Sequence, residues 1–262
     1  MADEGRLVQV SRRGPAAVLT LDSPHNRNAL SRALLAQLHA ALLGAAADDD
    51  VRVVVLTGEG PAFCSGADFK EQRAGGPPPV VGFPDVLTTI LESPLPVVAR
   101  VNGVARAGGL GLIAACDLAV GLADATFGFS EVRLGVAPAI IAVTCLRRMD
   151  RQAARELFLT GAPFDGTRAR DVGLLDRAVA PDELDRTVDE LVEQLALGAP
   201  GALAATKALL RELPGDSVAD DLRRMGQLSL ERFGSDEARE GISALLEQRR
   251  PSWAPETTVP IP

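Results

Sequence analysis

Two glycine-rich turns, about forty residues apart, constrain this chain more than any other feature of its sequence. They are Phe63-Cys-Ser-Gly-Ala-Asp-Phe-Lys70 and Asn102-Gly-Val-Ala-Arg-Ala-Gly-Gly-Leu-Gly111. Each follows an apolar run typical of a buried strand and leads into a helical pattern. Two such turns lying side by side can direct two backbone N–H groups at one point. Fixed dipoles in a dry site stabilise negative charge without reorganising, so the pattern indicates an oxyanion-binding site.

A third segment, Phe127-Gly-Phe-Ser-Glu-Val-Arg-Leu-Gly135, places a lone carboxylate, Glu131, among apolar residues. Burial would raise the pKa of Glu131 toward the range that is useful for proton transfer near neutral pH. A solvated surface carboxylate is the alternative interpretation. The segment therefore offers one candidate acid/base close to the two turns.

The composition fits one large domain, or one domain with a small appendage, because 47% of the 262 residues are hydrophobic. A formal charge of −8 argues against a nucleic-acid-binding face. The three cysteines lie in apolar segments without a CxxC pattern, which predicts buried thiols in a reducing compartment. No signal-peptide pattern, membrane-length apolar run or metal-binding motif is evident. We therefore predict a soluble, cytoplasmic protein with no metal and no membrane partner.

Hydrophobic periodicity predicts an α/β fold whose C-terminal part is mainly helical. The predicted strands are Leu7–Arg12, Ala16–Leu21, Val51–Thr57, Val97–Val101, Leu118–Gly121, Ala125–Phe127 and Arg177–Ala180. The predicted helices are Arg32–Ala47, Asp85–Leu91, Ala139–Arg148, Arg151–Leu159, Thr167–Val172, Glu183–Leu197, Gly201–Leu213, Ser217–Phe233 and Asp236–Gln248. Gly75–Pro79 is predicted to be a mobile surface loop, and Ala254–Pro262 an extended tail.

Each glycine-rich turn also has a purely structural interpretation. Gly66 can serve a strand-to-helix turn that requires φ > 0, with Asp68 as a cap. The glycines from Gly108 to Gly111 can allow close packing of a helix on a sheet. A dinucleotide site is not indicated, because G-x-G-x-x-G and an acidic ribose partner are missing, and a P-loop is missing as well.

Taken together, the three segments resemble, in order and spacing, those of the crotonase family, also called the enoyl-CoA hydratase/isomerase family. Pro24–Leu30, Thr160–Asp176 and Glu240–Trp253 are similar to further family segments, so the resemblance covers nearly the whole chain. It implies an α/β fold with a crotonase-like ββα spiral core over residues 1–195. A C-terminal helical trimerisation region over residues 196–262 would follow, giving a homotrimer or a dimer of trimers.

The resemblance also implies the substrate and the site. The substrate would be an acyl-CoA thioester, whose carbonyl oxygen lies between the N–H groups of Ala67 and Gly108. Coenzyme A is then part of the substrate, and no separate cofactor is implied. The positions that match the family's CoA-binding segments are Arg27, Ala29, Ser65, Ala67, Asp68, Phe69 and Lys70.

Gly111 departs from the pattern of the familiar hydratases, which hold water between two glutamates. Glu131 matches the second of these glutamates, whereas Gly111 stands in place of the first. Whether Asp68, Glu71 or His25 reaches into this space is left open, as is whether Arg106 contacts a substrate carboxylate or points outward. The resemblance therefore implies an enoyl-CoA hydratase-type lyase of fatty acid metabolism with Glu131 as its single acid/base. A Δ3,Δ2-enoyl-CoA isomerase and a catalytically weak acyl-CoA-binding protein are the alternatives.

Overall fold

The computed structural model of this chain describes residues 5–76, 79–213 and 218–254. The strands are β1 (Val8–Arg13), β2 (Ala16–Leu21), β3 (Val53–Gly58), β4 (Ala62–Cys64), β5 (Val97–Val101), β6 (Val104–Arg106), β7 (Leu118–Leu122), β8 (Thr126–Gly128), β9 (Phe164–Asp165) and β10 (Arg177–Val179). The helices are α1 (Arg32–Ala46), α2 (Phe69–Ala74), α3 (Phe83–Glu92), α4 (Gly108–Ala115), α5 (Ala139–Arg148), α6 (Arg151–Thr160), α7 (Gly166–Asp171), α8 (Leu184–Ala196), α9 (Pro200–Glu212), α10 (Val218–Phe233) and α11 (Asp236–Leu246). Residues 77–78 of the predicted loop and 255–262 of the predicted tail lie outside the described residues. None of the helices described is long and apolar enough to cross a membrane.

The larger sheet has six strands in the order β1-β2-β3-β5-β7-β10, of which β1 and β2 pair antiparallel and the others parallel. All six residues of β3 are buried, because the sheet is covered on both faces. Val54 and Leu56 belong to the main core, which includes α1. Val53 and Val55 belong to a second cluster with residues of α8. This double burial explains why the sequence shows a continuous apolar run rather than an alternating pattern.

The smaller sheet has the order β4-β6-β8-β9, with β4, β6 and β8 parallel and β9 antiparallel to β8. Each of the pairs β3–β4, β5–β6 and β7–β8 sends one strand to each sheet before the chain enters helical structure. This repetition confirms the expected spiral of ββα turns. The strands β4 and β6 were missing from the sequence prediction, because three residues are too few to show periodicity.

Local signals explain where the helices begin. The Ser31 hydroxyl accepts a hydrogen bond from the backbone N–H of Leu34 at 3.2 Å, which makes Ser31 the N-cap of α1. The helix α3 begins at Phe83, two residues earlier than predicted. Its first turn contains a proline, and the Asp85 carboxylate accepts from the N–H of Gly82 at 2.7 Å. All eight residues of α4 are buried, as expected of a helix that is apolar on every side.

The C-terminal helices are attached to the core by buried polar contacts. The Lys207 ammonium on α9 lies 2.7 Å from the Asp117 carboxylate and donates to the carbonyl oxygen of Ile90 at 2.9 Å. The Arg52 guanidinium donates to the carbonyl oxygens of Gly198, at 2.6 Å, and of Trp253. The helical character of this region is confirmed over its described residues, while its role in trimer assembly stays a prediction.

Candidate active site

The candidate site lies where three neighbouring parallel strands of the smaller sheet end. The turn Ser65–Ala67 follows β4, the turn at Ala107 and Gly108 follows β6, and Glu131 comes three residues after β8. Because the carboxyl ends of parallel strands meet at one edge of a sheet, the three segments lie side by side. The fold thus brings the first turn close to Glu131, although more than sixty residues separate them in the sequence.

The two glycine-rich turns are in direct contact. Gly66 has φ +90°, and a Cβ atom placed on it would lie 2.9 Å from the Cβ of Ala107 and 3.4 Å from the backbone nitrogen of Gly108. Across the first turn, the N–H of Leu30 donates to the carbonyl oxygen of Gly66 at 2.7 Å. Only glycine at position 66 allows the two turns to approach so closely.

The geometry leaves two backbone donors unused. Among the hydrogen bonds of the residues that the structure describes, neither the N–H of Ala67 nor that of Gly108 has a protein acceptor. Ala107 between the turns adopts φ 46° and ψ −115°, a sparsely populated conformation for a residue with a Cβ. Gly108 is then the first residue of α4, so its N–H is one of the donors that a helix cannot satisfy internally.

Asn28 is a positioning residue that the sequence interpretation overlooked. It is fully buried with φ 56°, and its amide nitrogen donates to the carbonyl oxygens of Ala62, at 2.8 Å, and Glu59, at 3.0 Å. Its side-chain oxygen accepts from the N–H of Ser23 at 2.8 Å. Asn28 thereby holds the loop before α1 against the start of β4. A polar residue inside a turn-rich loop was the available signal, but it did not distinguish this asparagine from its neighbours.

The third segment presents the Glu131 carboxylate in a partly desolvated setting. The preceding Phe129 is fully buried, and its ring stacks on those of Phe158, at 4.1 Å between centroids, and Phe164, at 6.0 Å. The carboxylate oxygen Oε2 of Glu131 is buried and has no hydrogen-bond partner among the described residues. Burial raises the pKa of Glu131 above its ordinary value, and a backbone hydrogen bond opposes this only in part. A raised pKa makes the carboxylate a stronger proton acceptor, as a general acid/base requires.

One cavity of about 390 Å³ joins these groups. Its lining is mainly apolar and is formed by Leu30, Leu35, Ala67, Phe69, Phe83, Ala107, Gly108, Glu131, Val136, Ala137, Pro138, Ala139, Ile140 and Ile141. The structure therefore places four of the residues singled out from the sequence in one cavity, namely Ala67, Phe69, Gly108 and Glu131. A thioester carbonyl bound in this cavity would have two N–H donors and one carboxylate within the same enclosure.

The other residues predicted to bind CoA surround the first turn. The N–H of Ser65 donates to the carbonyl oxygen of Arg27 at 3.0 Å, which places the loop before α1 beside this turn. Ala29 is buried, whereas Arg27 and Lys70 are exposed. Asp68 accepts from the backbone N–H groups at the start of α2. The two segments are joined by this hydrogen bond, and Ala67 and Phe69 of the first turn line the cavity. Contact of these positions with CoA stays a prediction.

The space beside Gly111 is filled by aliphatic and aromatic groups. A Cβ atom on Gly111 would lie 2.6 Å from Cγ2 of Ile141 and 3.3 Å from Cζ of Phe83. The side chains that were open candidates for this space are engaged elsewhere: Glu71 accepts from the N–H of Arg32 at 2.9 Å, and Asp68 from the amide of Asn26 at 3.2 Å. His25 is exposed and lies beside Ser23. Sequence reasoning missed Ile141 and Phe83, because no local pattern shows which distant residues will face a glycine.

Arg106 does not line the cavity. Its guanidinium lies across Gly128 of the neighbouring strand and donates to the carbonyl oxygen of Phe127 at 3.3 Å. Burial and the nearby Arg133 lower the pKa of Arg106. The structure thus favours the outward-pointing alternative over a contact with a substrate carboxylate. In the part of the chain described, no group of three or more His, Cys, Asp or Glu side chains could hold a metal ion.

Comparison with known proteins identifies the family. The family model for enoyl-CoA hydratase/isomerase matches residues 12–256. The crystal structure of an enoyl-CoA hydratase from Mycobacterium smegmatis superimposes with a TM-score of 0.88 at 36% identity, covering 95% of this chain and 99% of that one. The mitochondrial enoyl-CoA hydratase domain-containing protein 3 of Rattus norvegicus is 32% identical, over 96% of this chain and 85% of its own length. An enoyl-CoA isomerase/hydratase of Mycosarcoma maydis is 32% identical, over 89% of this chain and 90% of its own length. The two apposed turns, the spiral of ββα units and these matches together show that the chain belongs to the enoyl-CoA hydratase/isomerase family, the crotonase family.

Proposed function

We propose that this protein is an enoyl-CoA hydratase-type lyase in which Glu131 is the single general acid/base. The observation that carries the proposal is the buried, unpartnered Oε2 of Glu131 in the cavity that also contains the unused N–H groups of Ala67 and Gly108. A carboxylate in this state can bind and deprotonate a water molecule. The donors can hold the thioester oxygen, on which negative charge develops.

In the proposed reaction, Glu131 removes a proton from water while the water oxygen forms a bond to C3 of the enoyl group. The electron pair of the C2=C3 bond moves through C2 and C1 onto the thioester oxygen. The N–H groups of Ala67 and Gly108 stabilise this enolate, each by about 3 kcal/mol as in other oxyanion holes. Glu131 then returns its proton to C2, and the product is a 3-hydroxyacyl-CoA.

The CoA portion of the substrate is proposed to lie along the rim formed by Arg27, Ala29, Ser65 and Asp68–Lys70. Two features support this placement. The carbonyl of Arg27 and the N–H of Ser65 bond to each other, so both segments present one continuous edge. Phe69 is 53% exposed although it lines the cavity, which gives a substrate an apolar surface at the entrance.

The wall beside Gly111 favours a second candidate, isomerisation of a 3-enoyl-CoA to a 2-enoyl-CoA. Ile141 and Phe83 fill the space beside Gly111, the position that resembles the first glutamate of the familiar hydratases, so no carboxylate other than Glu131 helps to hold water there. A double-bond shift needs only one base, which takes a proton from C2 and returns it to C4. This candidate uses the same oxyanion donors and the same Glu131.

Proton NMR of the protein with crotonyl-CoA in deuterated water tests the proposal, with Glu131→Gln as the matched variant. We expect the wild type to form a 3-hydroxyacyl product and the variant to be slower by about 10²- to 10⁴-fold. Calorimetry with butyryl-CoA should show that the variant still binds CoA esters. Product formation that persists unchanged in the variant would contradict the role of Glu131.

The remaining outcomes separate the alternatives. Turnover of a 3-enoyl-CoA without hydration of crotonyl-CoA would establish the isomerase. Binding of CoA esters without turnover of either substrate would indicate an acyl-CoA-binding protein. If no CoA ester binds, the whole proposal is wrong.

A further inference from the structure

The packing of α5 against α4 shapes the wall of the cavity beyond the oxyanion donors. Gly111 lies three residues after Gly108, so both face the same side of α4. A Cβ on Gly111 would be 2.6 Å from Cγ2 and 3.1 Å from Cβ of Ile141. A side chain at position 111 and the present position of Ile141 therefore exclude each other, and the Cγ2 methyl of Ile141 takes that space.

Ile141 is held firmly in this position. Its side chain is only 3% exposed, and a β-branched residue in a helix has essentially one favoured rotamer. The Thr144 hydroxyl, also buried, lies 3.3 Å from the carbonyl oxygen of Gly111 and 3.1 Å from that of Ile141, so it links the two helices at this point. The methyl group is thus a fixed part of the wall.

The wall lies close to the oxyanion donor of Gly108, where the acyl chain of a bound thioester would pass. Three residues of an α-helix rise about 4.5 Å, so Ile141 faces a point about that far along α4 from the Gly108 N–H. An acyl group whose carbonyl oxygen binds at Gly108 would place its second to fourth carbons near this point. We infer that Ile141 is a specificity-determining residue, which restricts the substrate to acyl-CoA thioesters without a branch at C3. This inference rests on the proposed function, because it takes the thioester carbonyl to lie at Ala67 and Gly108.

Calorimetry with two unreactive esters, butyryl-CoA and 3-methylbutyryl-CoA, tests the inference. A single methylene-sized difference in a tight apolar pocket changes discrimination by about 10- to 200-fold, so the wild type should prefer butyryl-CoA by at least about 10-fold. Ile141→Ala removes the Cγ2 methyl from the wall and should reduce this preference to about 3-fold or less, because the branched ester should bind more tightly. Ile141→Val keeps a methyl toward Gly111, loses only Cδ1, and should keep the preference.

The results distinguish failure of the inference from failure of the proposed function. If the wild type binds butyryl-CoA but Ile141→Ala keeps the full preference, Ile141 does not determine specificity. Loss of the preference in Ile141→Val, to the same degree as in Ile141→Ala, would also overturn the inference. If the wild type binds neither ester, the proposed function fails, and this inference fails with it.

Gly111→Ala supplies an independent test should Ile141→Ala not fold. The new Cβ would lie 2.6 Å from Cγ2 of Ile141, so the wall must change shape. We expect butyryl-CoA to bind at least about 10-fold more weakly and Tm to fall by several degrees. A variant that keeps both the Tm and the affinity of the wild type would show that Ile141 does not fill the space beside position 111.

Discussion

Burial of the Glu131 carboxylate is expected to favour proton transfer and, at the same time, to lower the stability of the folded protein. Because burial raises its pKa, the folded protein binds more protons than the unfolded chain between the ordinary and the raised pKa. The free energy of unfolding should therefore fall as pH rises through this interval and stay reduced above it. Glu131→Gln, which does not ionise, should have a Tm roughly 1–3 °C above that of the wild type at pH 8.

The difference in Tm should shrink as pH falls below the ordinary pKa of a glutamate, where the wild-type carboxyl is protonated in both states. Thermal unfolding followed by circular dichroism between pH 4 and pH 8 measures this. Glu92→Gln is the matched control, because Glu92 is exposed at the end of α3. An equal gain in Tm from both variants would show that burial of Glu131 is not the cause.

A residue of the candidate site could be predicted from the sequence only where its position is set by the segment around it. Ala67, Gly108 and Glu131 were found from sequence because each belongs to a segment whose local pattern matches a known family. Ile141 was not, since it follows Gly111 by thirty positions and only the packing of two helices makes them neighbours.

The contact between the two glycine-rich turns yields a prediction for a supersecondary element. Gly66→Ala places a Cβ at φ +90° and only 2.9 Å from that of Ala107, so the turns must separate. We expect kcat to fall about 100-fold, as when one oxyanion donor is lost. Steady-state kinetics and thermal unfolding of the variant measure the two effects.

Gly14→Ala is the control for this prediction. Gly14, in the hairpin between β1 and β2, also has positive φ, at +56°, but a Cβ there would touch nothing within 4 Å. It should lower Tm through backbone strain alone and leave kcat unchanged. Equal loss of kcat in both variants would argue against a special role for the contact of the turns.

The attachment of α9 to the core yields a second prediction at the scale of elements. The Lys207 side chain is 11% exposed, and its partner Asp117 also accepts from the N–H of Val97 at 2.7 Å. Lys207→Met should destabilise the fold by about 2 kcal/mol, since it leaves the carbonyl oxygens of Ile90 and Leu95 without their ammonium donor and Asp117 without its ionic partner. Urea unfolding of this variant, Asp117→Asn and the double variant should give a coupling energy of about 1 kcal/mol or more. Additive effects would show that the pair acts independently.

The elements were predictable to different degrees for physical reasons. Long elements such as α1 and β3 bury enough side chains to impose a period on the sequence. The short strands β4 and β6 do not, although the two glycine-rich turns follow them. Their placement depends on pairing with each other and with β8, which no local window contains.

At the scale of the whole molecule, one stretch of the surface is rich in exposed apolar side chains. Large apolar side chains are exposed from the end of the Glu131 segment through α6: Val132, Leu134, Val136, Ile140, Val143, Leu146 and Leu159. We propose that a second copy of this chain covers them, since so many exposed apolar groups in one region are typical of an interface. This is the surface that the proposed trimer would use.

Light scattering coupled to size-exclusion chromatography tests this proposal. The wild type should have three times the mass of one chain, or six times for a dimer of trimers. The double variant Val143→Asp/Leu159→Asp should have the mass of a single chain, because two carboxylates would be desolvated in the interface. Val10→Asp is the control: Val10 is 60% exposed on the edge strand β1. A monomeric wild type would reject the proposal.

The register of the larger sheet has a consequence for the time course of folding. Val55 pairs with Val98, which lies 43 residues further along the chain, and Val120 pairs with Arg177. Such pairings require large loops to close before they gain any stabilising contact, so proteins dominated by them fold slowly. A growing polypeptide on the ribosome cannot complete the cavity until the segment through Ile141 has emerged. The cavity can thus form only after more than half of the 262 residues have left the ribosome.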